Sequence, residues 1–147
     1  MSKILGVDYG EQRTGVAISD ESRTIAFPRE TLHCPRVEQA AAAVARLAEA
    51  EQVAAIVVGY PLNMNGTQGA RTARTDEFMA ELAKRTKIPL KKWDERLSTK
   101  IAEAVLIEAG TSRGKRRGVV DKLAAQVILQ GYLDAGAGAD PDGGAEA

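Results

Sequence analysis

The chain has 147 residues, 44% of them hydrophobic, which is typical of a globular protein with one domain and a sizeable core. Its formal net charge is zero, but the tail from Asp134 onward holds four of the 20 acidic residues and none of the 20 basic ones. Residues 1–133 therefore carry a net charge of +4, which is compatible with a polyanionic partner.

The composition also excludes several kinds of site. A single cysteine, Cys34, and a single histidine, His33, leave no internal disulfide and no ordinary structural zinc site. Adjacent side chains rarely face each other, so we interpret this pair as loop or core residues rather than a nucleophile and its base. The N-terminal apolar run is too short for a signal peptide and no later segment is apolar enough to span a membrane, so we expect a cytoplasmic protein without membrane contacts.

Three strands are predicted at the start of the chain. The apolar run from Ile4 to Val7 leads into Asp8, and a polar turn with glycines at both ends precedes a second run, Val16–Ile18. The segment 23–32 is typical of a third, edge strand, in which Pro28 limits the hydrogen-bond ladder. Successive strands without a helix between them predict an antiparallel meander.

The remainder of the chain alternates between helical and strand patterns. Apolar residues recur at helical spacing from Val37 to Glu51, and the continuous apolar run 54–59 is typical of a central, parallel strand. We therefore predict an α/β fold, with a five-stranded mixed sheet whose first three strands are antiparallel and with helices packed on it. Residues 1–134 would form one domain, and the acidic tail 135–147 would be disordered. The further predicted elements are a loop at 60–69, helices at 70–86, 100–108 and 119–133, a strand at 88–93 and a basic linker at 113–118.

Three carboxylates are candidates for one metal site. Asp8 ends the first strand, Asp94 and Glu95 follow the last strand, and Asp121 lies in the first turn of the predicted final helix. Each residue has a simpler role available: Asp8 as a turn cap, Glu95 as a partner of Arg96, and Asp121 as a favourable charge near a helix N-terminus. Together they would need a countercharge, which Mg²⁺ or Mn²⁺ supplies to oxygen ligands, and two such ions can support phosphodiester cleavage. The residues that would then hold a phosphate backbone are Arg113, Lys115, Arg116, Arg117 and Lys122.

Four segments resemble the YqgF family, also called RuvX, and they cover nearly the whole chain except the tail. They read GVDYGEQRTGVAISD, IVVGYPLNMNGTQG, DERLST and VVDKLAAQVILQGYL. The resemblance implies a ribonuclease H-like fold, similar to RuvC resolvases, with Asp8, Glu95 and Asp121 as acidic metal-site residues. It also implies substrate contacts by Arg13 and by the loop 61–69, which contains Asn63 and Asn65. RuvC-like enzymes often carry a fourth carboxylate on the last helix, and no second carboxylate lies near Asp121 here.

The implied function is that of a metal-dependent endonuclease acting on structured nucleic acid, most directly in processing the 5′ end of pre-16S rRNA. Resolution of Holliday junctions in DNA is the alternative within the same chemistry. Two alternatives belong to other classes of protein. One is an actin-like ATPase, against which the chain holds only one copy of the strand–Asp–Gly segment. The other is a non-catalytic nucleic-acid-binding module. The sequence does not decide whether the substrate is RNA or DNA, whether one or two metal ions bind, or whether the protein is a monomer or a homodimer.

Overall fold

The computed structural model describes residues 2–61, 69–94 and 113–135, with side chains from residue 122 onward in the last range. Five strands form a single sheet in the order β3-β2-β1-β4-β5. The strands are β1 (Ile4–Asp8), β2 (Arg13–Ser19), β3 (Ala26–His33), β4 (Ala55–Tyr60) and β5 (Leu90–Asp94), and the helices are α1 (Val37–Glu51), α2 (Ala70–Ala83) and α3 (Arg113–Asp134).

The strand pairing confirms the predicted mixed sheet. Strand β1 is antiparallel to β2 and parallel to β4, β2 is antiparallel to β3, and β4 is parallel to β5. All residues of β4 are buried, as expected for a strand covered on both faces. Strand β3 lies at the edge, and its register with β2 shifts between Val16 and Ala17, opposite Glu30 and Pro28.

Two apolar layers enclose the sheet, because successive side chains of a strand point to opposite faces. Leu5 and Val7 of β1 pack in the layer that contains α1 and α2, whereas Ile4 packs in the layer that contains α3. Cys34 packs against the first layer, which agrees with its interpretation as a core residue. In the part of the chain that the structure describes, none of the helices has the length and apolar character needed to cross a bilayer.

The predicted basic linker at 113–118 is wrong, because these residues form the first turns of α3. Arg and Lys cost little in a helix, and the packing of the later turns of α3 on the sheet outweighs the roughly 1 kcal/mol that each of Gly114 and Gly118 costs. The helix predicted at 100–108 and the tail beyond residue 135 lie outside the described residues. Helix α2 also ends earlier than predicted, at Ala83, where the amides of Arg85 and Thr86 both donate to the Leu82 carbonyl.

Candidate active site at the carboxyl ends of the central strands

Asp8 is the last residue of β1, the middle strand of the sheet, and it is half-buried. Its antiparallel partner on β2 is Gly15. Side chains alternate along a strand, so Asp8 belongs to the same face as Ile4 and Gly6, which is the face covered by α3. The predicted position of Asp8 at the end of a central strand is therefore confirmed.

Gly6 brings α3 into direct contact with the backbone of β1. A Cβ atom at this position would lie 2.7 Å from Cβ of Leu129 and 3.2 Å from the Ala125 carbonyl oxygen. No side chain fits between the helix and the strand, so the absence of a Cβ at Gly6 sets the distance between them. The helix is thereby held over the strand that ends in Asp8.

Two glutamine side chains of α3 fix the direction in which the helix crosses the sheet. Gln126 Nε2 donates to the Ala26 carbonyl at 2.9 Å, and the Ala26 amide donates to Gln130 Oε1 at 2.8 Å. Gln130 Nε2 also donates to the Thr24 carbonyl at 2.9 Å. Ala26 and Thr24 lie toward the end of the sheet opposite to Asp8, so α3 proceeds away from Asp8 along its length. Its N-terminal half is directed toward the Asp8 end of β1.

The longer α3 changes the interpretation of Asp121. The sequence suggested that this residue lies in the first turn of the helix, but α3 begins at Arg113, eight residues earlier. The helix dipole acts mainly within the first turn, so a simple favourable charge at the N-terminus no longer accounts for an acid at position 121.

The structure describes the other predicted site residues only in part. Arg13 is the half-buried first residue of β2, and Lys122 is half-buried in α3. Within the described residues no group of three His, Cys, Asp or Glu side chains is close enough to hold a metal ion. Glu95, Asn63 and Asn65 lie outside the described residues, and Arg113, Lys115, Arg116, Arg117 and Asp121 are described only as members of α3.

A cavity of about 200 Å³ adjoins the end of β1, and sequence reasoning did not identify it. Arg71 and Arg74 of α2 contribute positive charge, and Arg74 Nε is 2.9 Å from Oε2 of Glu11. The sequence feature that could have indicated this cavity is the three-residue spacing of the two arginines, which places them one helical turn apart. We call this feature the arginine cavity; its lining residues are Tyr9, Gly10, Glu11, Arg71, Arg74 and Thr75.

Tyr9 forms a rigid wall of the arginine cavity. Its ring stacks on Phe78 of α2 with a centroid distance of 4.6 Å and an interplanar angle of 14°. Burial raises the pKa of the Tyr9 hydroxyl, and the carboxylates of Glu77 and Glu11 raise the pKa further. The hydroxyl therefore stays protonated at physiological pH. Gly10 follows, where a Cβ atom would collide with the Arg13 carbonyl oxygen, so the turn after Asp8 has no space for a larger residue.

The end of β4 is tied to α2 and β5 by one buried tyrosine. The Tyr60 hydroxyl lies 3.0 Å from each carboxylate oxygen of Asp76, and Lys92 Nζ lies 4.4 Å from the centre of the Tyr60 ring. Lys92 Nζ is also 3.7 Å from Asp76 Oδ1. Burial and the hydrogen bond to Asp76 raise the pKa of Tyr60. These contacts anchor the end of β4, which precedes the segment predicted from the sequence as a loop.

Curated relatives align with nearly the full length of the chain. A protein of Symbiobacterium thermophilum is 49% identical over 140 residues, which are 95% of this chain and 97% of the relative. A protein of Halothermothrix orenii is 47% identical over 132 residues, covering 90% and 94%. Both carry the name "Putative pre-16S rRNA nuclease".

Solved structures of resolvases share the fold. RuvC of Thermus thermophilus, in complex with a Holliday junction substrate, superposes with a TM-score of 0.59 at 16% identity, covering 92% of this chain and 97% of RuvC. The Fowlpox virus resolvase, in complex with Holliday junction DNA, gives a TM-score of 0.57 at 13% identity, with coverages of 90% and 97%. At these identities the likeness concerns the fold, and it confirms the predicted ribonuclease H-like architecture.

The sequence also matches a family described as RuvX, Holliday junction resolvase, over residues 2–135. This match spans nearly the whole chain and decides against the actin-like ATPase alternative. Together with the curated relatives, it confirms the prediction of a nuclease. The chain therefore belongs to the RuvX family of Holliday junction resolvases.

Proposed function

We propose that this protein is a divalent-metal-dependent endonuclease whose active centre is formed by Asp8, Glu95 and Asp121. The observation that carries the proposal is the position of Asp8 at the end of the central strand, on the face that α3 covers. A strand end in the middle of a sheet is a rigid position, which suits a ligand that holds a metal ion in place.

The packing of α3 supports the inclusion of Asp121. Ala125 and Leu129 contact the position of Gly6, and the helix is directed with its N-terminal half toward the Asp8 end of β1. Position 121 precedes Ala125 by four residues, about 6 Å along a helix, and Asp8 follows Gly6 by two residues, about 6.6 Å along a strand. The two displacements match in length and direction, so we assign Asp8 and Asp121 to the same end of the sheet.

The strand pairing supports the inclusion of Glu95. Tyr60 at the end of β4 pairs with Asp94 at the end of β5, and β4 is parallel to β1. The carboxyl ends of β1, β4 and β5 therefore share one edge of the sheet, which is where ligands gather in such folds. Glu95 is the next residue after β5, and we assign it to this edge.

The chemistry of the donor set fits Mg²⁺ or Mn²⁺. All three proposed ligands are carboxylates, which hard cations prefer, and the single histidine and single cysteine lie at the end of the edge strand β3. A bound divalent ion would supply electrostatic stabilisation of the charge that develops on the phosphoryl oxygens. Asp8, Glu95 and Asp121 would hold the ion, and the basic side chains would orient the nucleic acid.

The proposed substrate is the precursor of 16S rRNA, because the curated relatives are named as pre-16S rRNA nucleases. Cleavage at its 5′ end, in the cytoplasm, is part of the same proposal. Holliday junction DNA is the second candidate, favoured by the description of the family. A helical segment from Arg113 to Arg117 strengthens the proposed phosphate contacts, because residues 113, 116 and 117 share one helix face. The other proposed substrate contacts are Arg13, Asn63, Asn65, Lys115 and Lys122.

Cleavage assays with end-labelled precursor rRNA and with four-way junction DNA, each with Mg²⁺, Mn²⁺ or EDTA, test the proposal. The wild type should cut one of these substrates only when the metal is present, and Asp8→Asn should abolish the cut. The matched control is Asp134→Asn at the far end of α3, which makes the same change in charge and should cleave like the wild type. Full activity of Asp8→Asn would refute the site, and an inactive wild type on both substrates would favour the non-catalytic binding module.

A further inference from the structure

The arginine cavity adjoins the turn that follows Asp8, on the side of the sheet that α2 covers. Gly10, one of its lining residues, follows Asp8 by two positions, so their Cα atoms are at most about 7 Å apart. We propose that the arginine cavity binds a backbone phosphate of the nucleic acid, next to the phosphate at which the strand is cut. This inference rests on the proposed nuclease function and names a positioning subsite for its substrate.

The charge of the cavity favours an anion. Arg71 and Arg74 bring two guanidinium groups to the lining, and the nearby carboxylates are those of Glu11 in the lining and of Glu77 on α2. Guanidinium groups bind phosphate oxygens through paired, charge-assisted hydrogen bonds, which are stronger than neutral ones. Two guanidinium groups in one lining suit a ligand that carries negative charge.

Glu11 occupies the position that a phosphate would take on Arg74. Its carboxylate lies 2.9 Å from Arg74 Nε, and both side chains are well exposed, at 61% for Glu11 and 42% for Arg74. An exposed ion pair of this kind is weak, so a phosphate can replace the carboxylate at little cost. Glu11 is therefore a competitor that holds Arg74 in place without the substrate and lowers the affinity for it.

Two walls of the cavity are held in place by packing without a ligand. Tyr9 is held by its stack on Phe78, and Thr75 on α2 is buried. Walls that are fixed by packing keep the shape of the cavity, so a ligand does not have to order them when it binds.

The test compares two substitutions that break the same ion pair, Arg74→Gln and Glu11→Gln. A purely structural ion pair predicts that both variants change binding in the same direction. A phosphate subsite predicts opposite directions: Arg74→Gln should weaken binding about tenfold, and Glu11→Gln should strengthen it several-fold. The measurement is fluorescence anisotropy in EDTA with two labelled probes, a short RNA spanning the 5′ boundary of mature 16S rRNA and a four-way junction DNA. Arg74→Gln should also reduce the slope of log K against log salt by about one.

Arg85→Gln is the matched control, because Arg85 lies just beyond the other end of α2 and pairs with Glu81 at 2.8 Å. This variant removes the same charge and should bind both probes like the wild type. Equal affinities and salt slopes for Arg74→Gln and the wild type would overturn the subsite, as would a wild type that binds neither probe. The binding assay contains no metal ion and is therefore independent of cleavage. If the wild type cuts neither substrate but Arg74→Gln and Glu11→Gln still change the affinity in opposite directions, the nuclease function is refuted and the phosphate subsite is retained.

Discussion

The contact between Gly6 and α3 gives a quantitative test of how the helix is positioned. Gly6→Ala would place a Cβ atom 2.7 Å from Cβ of Leu129, so the helix would have to move by about 0.7 Å to restore an ordinary contact of 3.4 Å. The Ala125 carbonyl oxygen, at 3.2 Å, belongs to the helix backbone and cannot rotate away. The strain must therefore be taken up by a shift of the whole helix.

The change in the free energy of unfolding follows from two opposing contributions. Overpacking a core by one methyl group costs about 1–3 kcal/mol, and rigid neighbours favour the upper part of that range. Replacing glycine by alanine also restricts the unfolded chain, which stabilises the protein by about 0.4–1 kcal/mol. We expect Gly6→Ala to lower the free energy of unfolding by about 1–2 kcal/mol, which corresponds to a drop in Tm of roughly 3–8 °C.

The assay combines thermal unfolding with cleavage kinetics well below the Tm. Because α3 carries Asp121, a shift of the helix should reduce kcat by roughly tenfold or more even when the protein is fully folded. The matched control is Gly131→Ala on the same helix, where the new Cβ atom would meet the Trp93 side chain at 3.0 Å. Trp93 is only partly buried, so its ring has room to shift by a few tenths of an ångström, and alanine is a better helix former. The control should therefore retain kcat and a nearly unchanged Tm. A wild-type Tm and kcat for Gly6→Ala would refute the close packing of α3 on β1.

Three further predictions concern the metal, the buried tyrosine and the glutamine contacts. Mg²⁺ should raise the Tm of the wild type but not that of Asp8→Asn, since a ligand stabilises only a protein that binds it; equal shifts in differential scanning fluorimetry would contradict the site. Tyr60→Phe should cost about 1–2 kcal/mol at pH 8, because it removes the hydrogen bond to Asp76. The pKa of Tyr60 is raised in the folded state, so its stabilising effect is present below pH 10, the ordinary tyrosine value, and is lost as the pH rises above it. Denaturant unfolding from pH 8 to 11 should show that the difference in free energy of unfolding between the wild type and Tyr60→Phe becomes smaller. A constant difference would contradict the raised pKa of Tyr60. Gln130→Ala should cost about 1–3 kcal/mol by leaving the buried Ala26 amide unpaired, and an unchanged free energy of unfolding in the same denaturant titration would contradict the contact.

Local patterns in the sequence determined the order of the elements and the position of Asp8. Alternation and continuous apolar runs identified the five strands, and helical spacing predicted α1 from Val37 to Glu51, as the structure has it. These signals depend on neighbours within a few residues, so the sequence alone is sufficient for them. The four family segments likewise sufficed to identify the family, because their order along the chain is specific.

The tertiary structure decided what those elements contact. The start of α3 at Arg113 was missed because a run of basic residues with two glycines has no apolar stripe to indicate a helix. The direction of α3 depends on hydrogen bonds between Gln126 or Gln130 and residues about a hundred positions earlier. The arginine cavity likewise requires α2 to meet the turn after Asp8. Periodicity shows which side of an element is apolar but not which surface will cover it, because contacts between distant segments depend on how the whole chain packs.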